Sequence, residues 1–449
     1  MILAARLAMS VGRAIAAIVT ALYLDAIGFS ALEIGALFVG VTVVSALMSS
    51  TIGLLADRWG RKPFLVAVPF LAAVAGLVFA ELRVTALLFI AAAVGTFGRG
   101  SGAGAGNIGP YQPAEAALVA DIVSGARRPA AFGRIAFFST LGALIGGLLA
   151  ELVRTTPHMS AVQATAAYRP AFLAAAVLAV VAGLLALLLR EPPSAARQKD
   201  ERRGFRWPRR SWPALWRFWV TNSTNGAGIG LFGPFVSYWL YRRYGVGPGT
   251  IGLLFAVVNL GSLASALAAA RIARRIGTIR AIMAVRALGG ALLVPIVLAP
   301  AFWIAGAVYF VRMMIQRVGL PLRQSFTLDM AHPDERASVA ALSNLPAQAT
   351  MAGSQAMAGY LFDEVSLAAP FELAAVLQVA NAALYGLLFI LRPPRPPVSA
   401  EVEGAEPELV PADSGAAGAG SVDAAAAAAA ADAMVVGATE IEPPDILPG

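Results

Sequence analysis

Apolar stretches of about twenty residues follow one another from the start of the chain to about residue 391, and charged residues lie mainly between them. Twenty helical residues are long enough to cross the hydrocarbon core of a bilayer, which is about 30 Å thick. Lipid offers no partner to backbone polar groups, so such stretches fold as α-helices. Only 13% of the 449 residues are charged, about half the usual share in soluble domains. The sequence therefore predicts an all-α polytopic membrane protein.

The apolar stretches predict twelve transmembrane helices in two pseudo-symmetric six-helix bundles. The first bundle covers 1–190, a basic linker 191–212, the second bundle 213–391, and an acidic tail rich in Ala, Pro and Gly 392–449. The tail has too few large apolar residues to bury a core, so we expect it to be disordered. A capping box is predicted at Ser30 and Glu33, at the start of the second span. The predicted spans are 5–27, 31–55, 63–82, 84–112, 130–152, 169–190, 213–241, 249–270, 279–298, 301–325, 336–362 and 368–391.

Basic residues fix the expected orientation. Most of the 34 Lys and Arg residues fall in segments on the same side as the loop around Asp57. Basic loops stay in the cytoplasm, so both termini are predicted to be cytoplasmic, in the plasma (inner) membrane of a prokaryote. The net charge of +8 does not indicate nucleic-acid binding, because the basic residues flank apolar segments. Those of the linker are expected to attract anionic lipid headgroups.

The segment from Gly53 to Pro63 places glycines and charged residues between two apolar spans. It resembles the signature loop between helices 2 and 3 of the major facilitator superfamily, in which Gly53, Asp57, Arg58, Gly60 and Arg61 match the motif. The resemblance implies a gate: Asp57 would face the start of the eleventh span, and Arg61 would pair with Asp121. These contacts would lock the cytoplasmic side while the protein opens outward. The alternative is a plain hairpin oriented by its positive charge.

A degenerate copy of this loop follows the eighth span, where residues 270–277 align with residues 53–60 and Arg274 replaces Asp57. A second repeat is the spacing of seven residues from Asp121 to Arg128 and from Asp329 to Arg336. Two parallel six-helix repeats are what the resembled superfamily has, with the substrate site between them near the midplane.

The glycines of the fifth span, Gly133, Gly142 and Gly146, resemble the antiporter signature of the same superfamily. Its drug/proton antiporter branch is the one that the chain looks like. The match departs at Gly147, where the signature has proline, and at Ala150, where it has glycine. Small residues also favour plain helix packing in membranes, so both interpretations stay open.

Charged residues inside the spans are the best guide to the substrate, because charge in a bilayer is costly and usually faces a cavity or a partner. The resemblance places spans one, four, seven and ten around the central cavity. We therefore predict a positively charged, amide-lined cavity for an anionic or zwitterionic solute, since guanidinium groups bind oxyanions in pairs of hydrogen bonds. Snorkelling or internal ion pairs are the alternative. The predicted cavity residues are Arg13, Arg99, Asn222, Asn225, Arg312 and Gln316.

No acidic residue is predicted at mid-membrane. Asp25 is expected near the outer end of span one, and Glu115 after span four on the cytoplasmic side. Either carboxyl could titrate if it were buried. A cation exporter would be expected to have an acid at the midplane, so its absence counts against cationic drugs.

The sequence thus predicts a secondary transporter that moves a small organic solute by alternating access, with efflux by proton antiport as the leading hypothesis. An uptake permease for an organic anion is the alternative, and a non-transporting sensor or assembly protein is a third. We expect a monomer without cofactor. The chain has no cysteine, and its histidines, His158 and His332, lie far apart, so neither a metal site nor an enzyme is predicted.

Overall fold

The computed structural model describes residues 1–98, 109–123, 127–153, 160–189, 191, 207–332 and 335–391. These ranges contain helices and short connections, and no strand. The all-helical prediction is therefore confirmed. The tail 392–449 and most of the linker lie outside the described residues.

The described part of the first half forms seven helices and a short 3₁₀ turn at Ala150–Leu152. The helices are α1 (Ile2–Ala26), α2 (Ala31–Trp59), α3 (Lys62–Glu81), α4 (Thr85–Gly95), α5 (Tyr111–Ile122), α6 (Arg128–Leu149) and α7 (Ala161–Leu187).

The second half forms nine helices, because three of its spans are broken in two. They are α8 (Trp212–Phe232), α9 (Val236–Tyr244), α10 (Pro248–Ile276), α11 (Thr278–Ala291), α12 (Leu293–Leu298), α13 (Phe302–Asp329), α14 (Arg336–Leu342), α15 (Leu345–Glu364) and α16 (Ala369–Tyr385), which Gly386–Leu391 continues as a π-helix.

Each predicted span contains a helix or a broken pair of helices, as a twelve-helix fold requires. Seven of the described helical segments are long and apolar enough to cross a membrane. The other helical segments are too short or too polar to meet this criterion, because turns or polar side chains interrupt them. Span seven breaks between α8 and α9 at Gly233 and Pro234, and span ten carries Arg312, Gln316 and Arg317.

The prediction for span four is wrong at its second end. Helix α4 stops at Gly95, with Thr96 in the left-handed region at a φ of 55°. Helix α5 then starts after Pro110 and continues to Ile122, ten residues beyond the predicted limit. Glu115 therefore lies inside a helix, where it is 2% exposed, and not after the span. Proline suits a helix start, and the mainly apolar sequence that follows extends the buried segment.

Further boundaries differ, since the second and eighth spans end at Trp59 and Ile276, beyond the predicted 55 and 270. Span six starts at Ala161 and not at 169, because Ser160 and Gln163 form a capping box with hydrogen bonds of 3.3 and 2.9 Å. Span ten runs through Pro321 to Asp329. The predicted capping box of Ser30 and Glu33 is present, with hydrogen bonds of 3.1 and 2.9 Å.

Backbone geometry supports the internal repeat. Gly60 ends α2 with a φ of 94°, and Gly277 precedes α11 with a φ of 83°. Side chains other than glycine rarely adopt such values, which explains why glycine closes both copies of the loop. Asp121 and Asp329 both lie in the last turn of their helices, and Arg128 and Arg336 begin the helices that follow.

The helix bundle has two ends, which we name after acidic residues. At the Asp25 end α1 stops and α2 begins, and at the Asp57 end α1 begins and α2 stops. Helix α1 runs through the interior and is buried almost continuously from Ala5 to Leu24. Its Tyr23 packs against Phe79, Tyr168 and Phe172 with ring centroids 5.2–6.1 Å apart, joining α1, α3 and α7.

Candidate functional site

A buried ion pair joins three helices of the first half. Arg6 of α1 donates to Glu115 of α5 at 2.5 Å and to the Ser139 hydroxyl of α6 at 3.2 Å. Arg6 and Glu115 are 4% and 2% exposed. The second carboxylate oxygen of Glu115 has no hydrogen-bond partner in the described part of the chain. Buried charges are costly to desolvate, and a pair in this setting is a candidate for function as well as for packing.

Arg13 lies two turns further along α1 and bridges the break in span four. Its guanidinium donates to the Thr96 hydroxyl at 2.6 Å and to the Thr96 carbonyl at 3.3 Å. A methyl group on Gly109, just before α5, would lie 3.8 Å from the same guanidinium. Because α4 has ended, the Thr96 carbonyl has no helical partner, and Arg13 supplies its hydrogen bond. The structure thus gives Arg13 a structural role, and its role in the substrate cavity stays a prediction.

The second half contains a polar network between α8, α11 and α16. Asn225 of α8 accepts hydrogen bonds from Arg286 of α11 and, at 3.4 Å, from Gln378 of α16. Asn381, one turn after Gln378, donates to the Thr221 carbonyl at 2.5 Å. Asn225, Gln378 and Asn381 are all at most 4% exposed. These side chains connect three helices through polar contacts at mid-span.

Arg312 of α13 is fully buried beside this network. Its Nε donates to the Gly289 carbonyl of α11 at 2.8 Å, and its guanidinium carbon lies 4.2 Å from the centre of the Phe232 ring. Its Nη2 has no hydrogen-bond partner among the described residues. No carboxylate compensates the charge of this side chain in the contacts that the structure gives it.

The predicted cavity residues thus fall in separate places. The contacts of Arg13 are in the first half. Asn225 and Arg312 lie in the second half, where Gln316 lies near Gly289, and Asn222 donates to the Ser343 carbonyl at 2.8 Å. Arg99 lies outside the described residues. A single substrate cavity lined by all of these residues therefore stays a prediction.

Sequence reasoning missed the roles of Arg6, Arg286, Gln378 and Asn381. The sequence contains a signal for Gln378 and Asn381, because these polar residues are three apart in the apolar span 369–391 and so lie on one helix face.

The predicted gating loop is described in part. Arg61 reaches α5, but its Nη1 donates to the Ala117 carbonyl at 2.7 Å. The side chains of Asp57, Arg58 and Asp121 lie outside the described part, so their predicted contacts stay predictions. Glu191 was assigned to the linker, and its carboxylate accepts the backbone N–H groups of Arg61 and Lys62 at 2.9 and 3.2 Å. It therefore caps the start of α3.

Glycines of α6 allow close packing, as the small-residue interpretation expects. A methyl group on Gly142 would lie 2.6 Å from the Ser10 side chain, and one on Gly146 would lie 2.6 Å from that of Ala14. One on Gly147 would lie 2.7 Å from the Gly252 carbonyl of α10. By contrast, Gly133, nearer the Asp57 end, meets nothing within 4 Å.

The two halves also meet at the Asp25 end of α2 and α15. The carboxylate of Asp363, in the last turn of α15, accepts the N–H groups of Ala31 and Leu32 at 3.1 and 2.8 Å. It therefore caps the positive N-terminus of α2 across the interface. Asp25 and Arg242 form a second contact between the halves at 3.3 Å. Towards the Asp57 end, Gly53 of α2 meets nothing within 4 Å.

A carboxylate outside the spans caps α8 in a similar way. Glu335 accepts the N–H groups of Arg210 and Ser211 at 3.1 and 2.7 Å. Slight burial raises the pKa of Glu335. These hydrogen bonds and the nearby His332 together lower the same pKa by more than burial raises it, so the pKa of Glu335 lies below its ordinary value. Trp207, Trp212 and Trp219 cluster around the same helix start, with ring centroids 5.3–6.5 Å apart.

This lowered pKa predicts an acid-sensitive helix start. A depressed carboxyl pKa adds stability that is complete above the ordinary pKa of about 4.3 and disappears as the pH falls through the lower folded value. We expect tryptophan fluorescence of the purified protein to change below about pH 4.3 as the α8 start loosens. The Glu335→Gln variant should lack this component. An identical acid transition in both proteins would contradict the assignment.

Comparisons with known proteins agree with this geometry on the fold. A mutant of the nucleoside transporter NupG matches with a TM-score of 0.61 at 13% identity, over 86% of this chain and 99% of that chain. The xylose transporter XylE from E. coli, in an inward open conformation, matches with a TM-score of 0.66 at 11% identity, over 86% and 95%. A bacterial homolog of the human lysosomal transporter Spinster matches with a TM-score of 0.64 at 15% identity, over 86% and 95%. No curated protein matches the sequence.

An all-helical fold like that of these solved structures, with seven helical segments able to cross a membrane among the described residues, defines a multi-pass membrane protein. The family model of the Major Facilitator Superfamily matches residues 2–223 and 218–434. The chain belongs to the Major Facilitator Superfamily and is a secondary transporter of small-molecule solutes.

Proposed function

We propose that this transporter exports a small organic solute across the plasma (inner) membrane in exchange for protons. The observation that carries the proposal is the buried carboxylate of Glu115, held by Arg6 at the contact of α1 with α5. Asp25, the other candidate acid, is paired with the half-exposed Arg242 at one end of the bundle. Glu115 is thus the better placed of the two for a proton that must be exchanged out of contact with bulk water.

The ion pair links proton binding to helix packing. When Glu115 takes up a proton, its charge disappears and so does most of its attraction for Arg6. Arg6 then remains charged at a buried position and must find another acceptor or move. Because α1 and α5 belong to spans one and four, a change at this pair alters the packing of both helices. Proton binding therefore biases the conformational equilibrium through differential contacts in the two states.

Charge placement supports a cytoplasmic Asp57 end with both chain termini on that side. In this orientation, the contacts of Asp363 with α2 and of Arg242 with Asp25 join the two halves on the outer side of the bundle. Closure on that side is the state in which a transporter takes up a solute from inside, as export requires. The contact of Asp57 with span eleven would stabilise the opposite state, in keeping with its gating role by resemblance.

Proton movement can be measured before the solute is known. The full chain is reconstituted into liposomes that contain a pH-sensitive dye, and pools of anionic, zwitterionic, neutral and cationic solutes are added outside. We expect one pool to change the internal pH only in liposomes that contain the protein. In the Glu115→Gln variant this response should fall at least about tenfold, whereas solute-for-solute exchange should persist.

Glu364→Gln is the matched control, since it removes a carboxylate at the exposed end of α15. Its proton response should equal that of the unaltered protein. Size-exclusion chromatography and the melting temperature establish that each variant is folded. An undiminished proton response in folded Glu115→Gln protein would exclude Glu115 as the coupling group.

Uptake of an organic anion is the second candidate function, and the buried guanidinium of Arg312 favours it. The same liposomes separate the two mechanisms. In antiport the solute and the proton move in opposite directions, and in symport they move together. A protein that moves neither solute nor proton, yet is required in the cell together with its tail, would instead be the sensor or assembly protein.

A further inference from the structure

Two arginines at mid-span in the second half have no acidic partner among the described residues, which is unusual for a membrane interior. Arg286 and Arg312 lie at mid-span in α11 and α13, and Arg323 is close enough for its charge to interact with that of Arg286. The described acidic residues of 213–391 all lie at helix ends or in connections, at Asp329, Glu335, Asp363, Glu364 and Glu372, and Asp334 lies outside the described residues. Charge at this depth usually has a partner or faces a cavity. Here the sequence of the bundle offers no carboxylate to be that partner.

Arg312 has the clearest uncompensated donor of the two arginines. It is 0% exposed, it uses Nε on the Gly289 carbonyl, and its Nη2 is buried without an acceptor in the described structure. An unsatisfied buried donor on a charged group is costly, and most such groups in proteins have a partner. The ring of Phe232 compensates part of the charge, but it accepts no strong hydrogen bond from Nη2.

Arg286 provides access to the same region. It is half-buried, as is Gln316 on the neighbouring helix. It is fixed by its hydrogen bond to Asn225, which also accepts from Gln378. A guanidinium has five N–H donors, so a single amide acceptor leaves donors available for a ligand. Arg286 thus offers partly accessible donors about one turn of α11 away from Gly289, whose carbonyl binds Arg312.

Helix α16 adds unsatisfied polar groups along one face. The side-chain oxygens of Gln378 and Asn381 and the Tyr385 hydroxyl are buried without partners among the described residues. Their spacing of three and four residues places them on the same side of the helix. The amide oxygens are acceptors, so they suit a ligand that carries hydroxyl or amino groups.

We propose that the second half contains an oxyanion subsite in which Arg286 and Arg312 hold a carboxylate or phosphate group, while Gln378 and Asn381 accept hydrogen bonds from hydroxyl or amino groups of the same solute. The substrate class is therefore a hydroxylated or aminated organic acid or phosphate ester. This inference deepens the proposed function and rests on it for the role of the subsite in transport. Binding itself does not require Glu115 or a proton gradient.

Binding to the detergent-purified full chain tests the subsite with defined probes. Malate and succinate carry the same carboxylates and differ by one hydroxyl. Glycerol 3-phosphate and inorganic phosphate test the phosphate form, and glycerol and choline are the neutral and cationic controls. We expect at least one of the anions to raise the melting temperature by mass action, and glycerol and choline to leave it unchanged. The hydroxylated member of each anion pair should bind more tightly.

Variants assign the effect to the named residues. Arg286→Gln and Arg312→Gln should each weaken binding of the anion by about tenfold or more, since hydrogen bonds to charged groups are the strong ones. Arg280→Gln removes the same charge from an exposed position of α11 and should bind as the unaltered protein does. Gln378→Leu should remove the preference for the hydroxylated anion without abolishing binding. If the Arg312→Gln variant does not fold, because Arg312 is buried, the Arg286→Gln variant at the half-buried position still decides the question.

Two results would overturn the subsite: equal anion binding by the folded Arg286→Gln variant, or no stabilisation by any of the four anions. The test separates this inference from the proposed function. Proton-coupled flux of a neutral or cationic solute that depends on Glu115 would retain the transporter mechanism and exclude the oxyanion subsite. Anion binding without proton coupling would retain the subsite and exclude proton exchange.

Discussion

Glu115→Leu is expected to destabilise the folded protein by about 3–5 kcal/mol, because it leaves the Arg6 guanidinium buried without its carboxylate. Arg6→Met should cost less at low pH, where an unpaired Glu115 can take up a proton and become neutral, and more as the pH rises. The double variant Arg6→Met/Glu115→Leu should come within about 1 kcal/mol of the unaltered protein, since apolar side chains of similar size often replace a buried ion pair without loss. Equilibrium unfolding in mixed detergent micelles measures the three free energies.

The exposed ion pair of Arg169 and Glu81 is the matched control. Both side chains are about half exposed, at 53% and 47%, and their contact is 2.7 Å long. Removing this pair with Glu81→Gln should change stability by less than about 1 kcal/mol. If Glu115→Leu cost no more than Glu81→Gln, the Arg6–Glu115 pair would not be the tightly coupled element that proton exchange requires.

Asp363→Ala is expected to loosen the closure of the Asp25 end. The substitution removes two charge-assisted hydrogen bonds and a favourable charge at the N-terminus of α2, together about 1 kcal/mol at this exposed position. The open state should gain about fivefold in population. The chain has no cysteine, so a single Thr42→Cys substitution provides a clean reporter. Thr42 is 1% exposed and bonded to Gln355 across the interface.

Labelling of Cys at position 42 by a membrane-impermeant maleimide should accelerate several-fold in the Asp363→Ala background. Glu364→Ala removes the neighbouring carboxylate, and it should leave the labelling rate unchanged. Equal rates in all backgrounds would show that the contact of Asp363 with α2 does not hold this end closed.

Much of the fold could be predicted because its signals are local. Apolar length sets the spans, Ser30 with Glu33 starts α2, and glycine at positions 60 and 277 is required by a positive φ. The errors are local as well. Span four is interrupted by a glycine-rich segment, so its apolar length did not indicate where the second helix begins or that Glu115 would be buried within it.

The site was less predictable because it depends on which helix faces meet. Arg312 is predicted from sequence to lie at mid-span, but its contacts with Gly289 and Phe232 depend on how α13 packs against α11 and α8. Sequence reasoning missed Arg286, because its position in span nine gives no indication of Asn225 on a helix far away in sequence. Single-sequence periodicity gives the face of a helix, and only tertiary packing gives its neighbour.

The antiparallel pair of α2 and α15 acts as a lever. Its fulcrum is the hydrogen bond of 2.9 Å between Thr42 and Gln355, which lies nearer the Asp363 end. The remaining 17 residues of α2 extend about 26 Å beyond that point at 1.5 Å per residue. A rotation of about 10° about the fulcrum therefore swings the Asp57 end by about 4–5 Å, further than a hydrogen bond can stretch. Asp363 lies at one end of this pair and Asp57 at the other, and with the gating contact of Asp57 that the resemblance implies, engaging one carboxylate and releasing the other would be a single rigid movement.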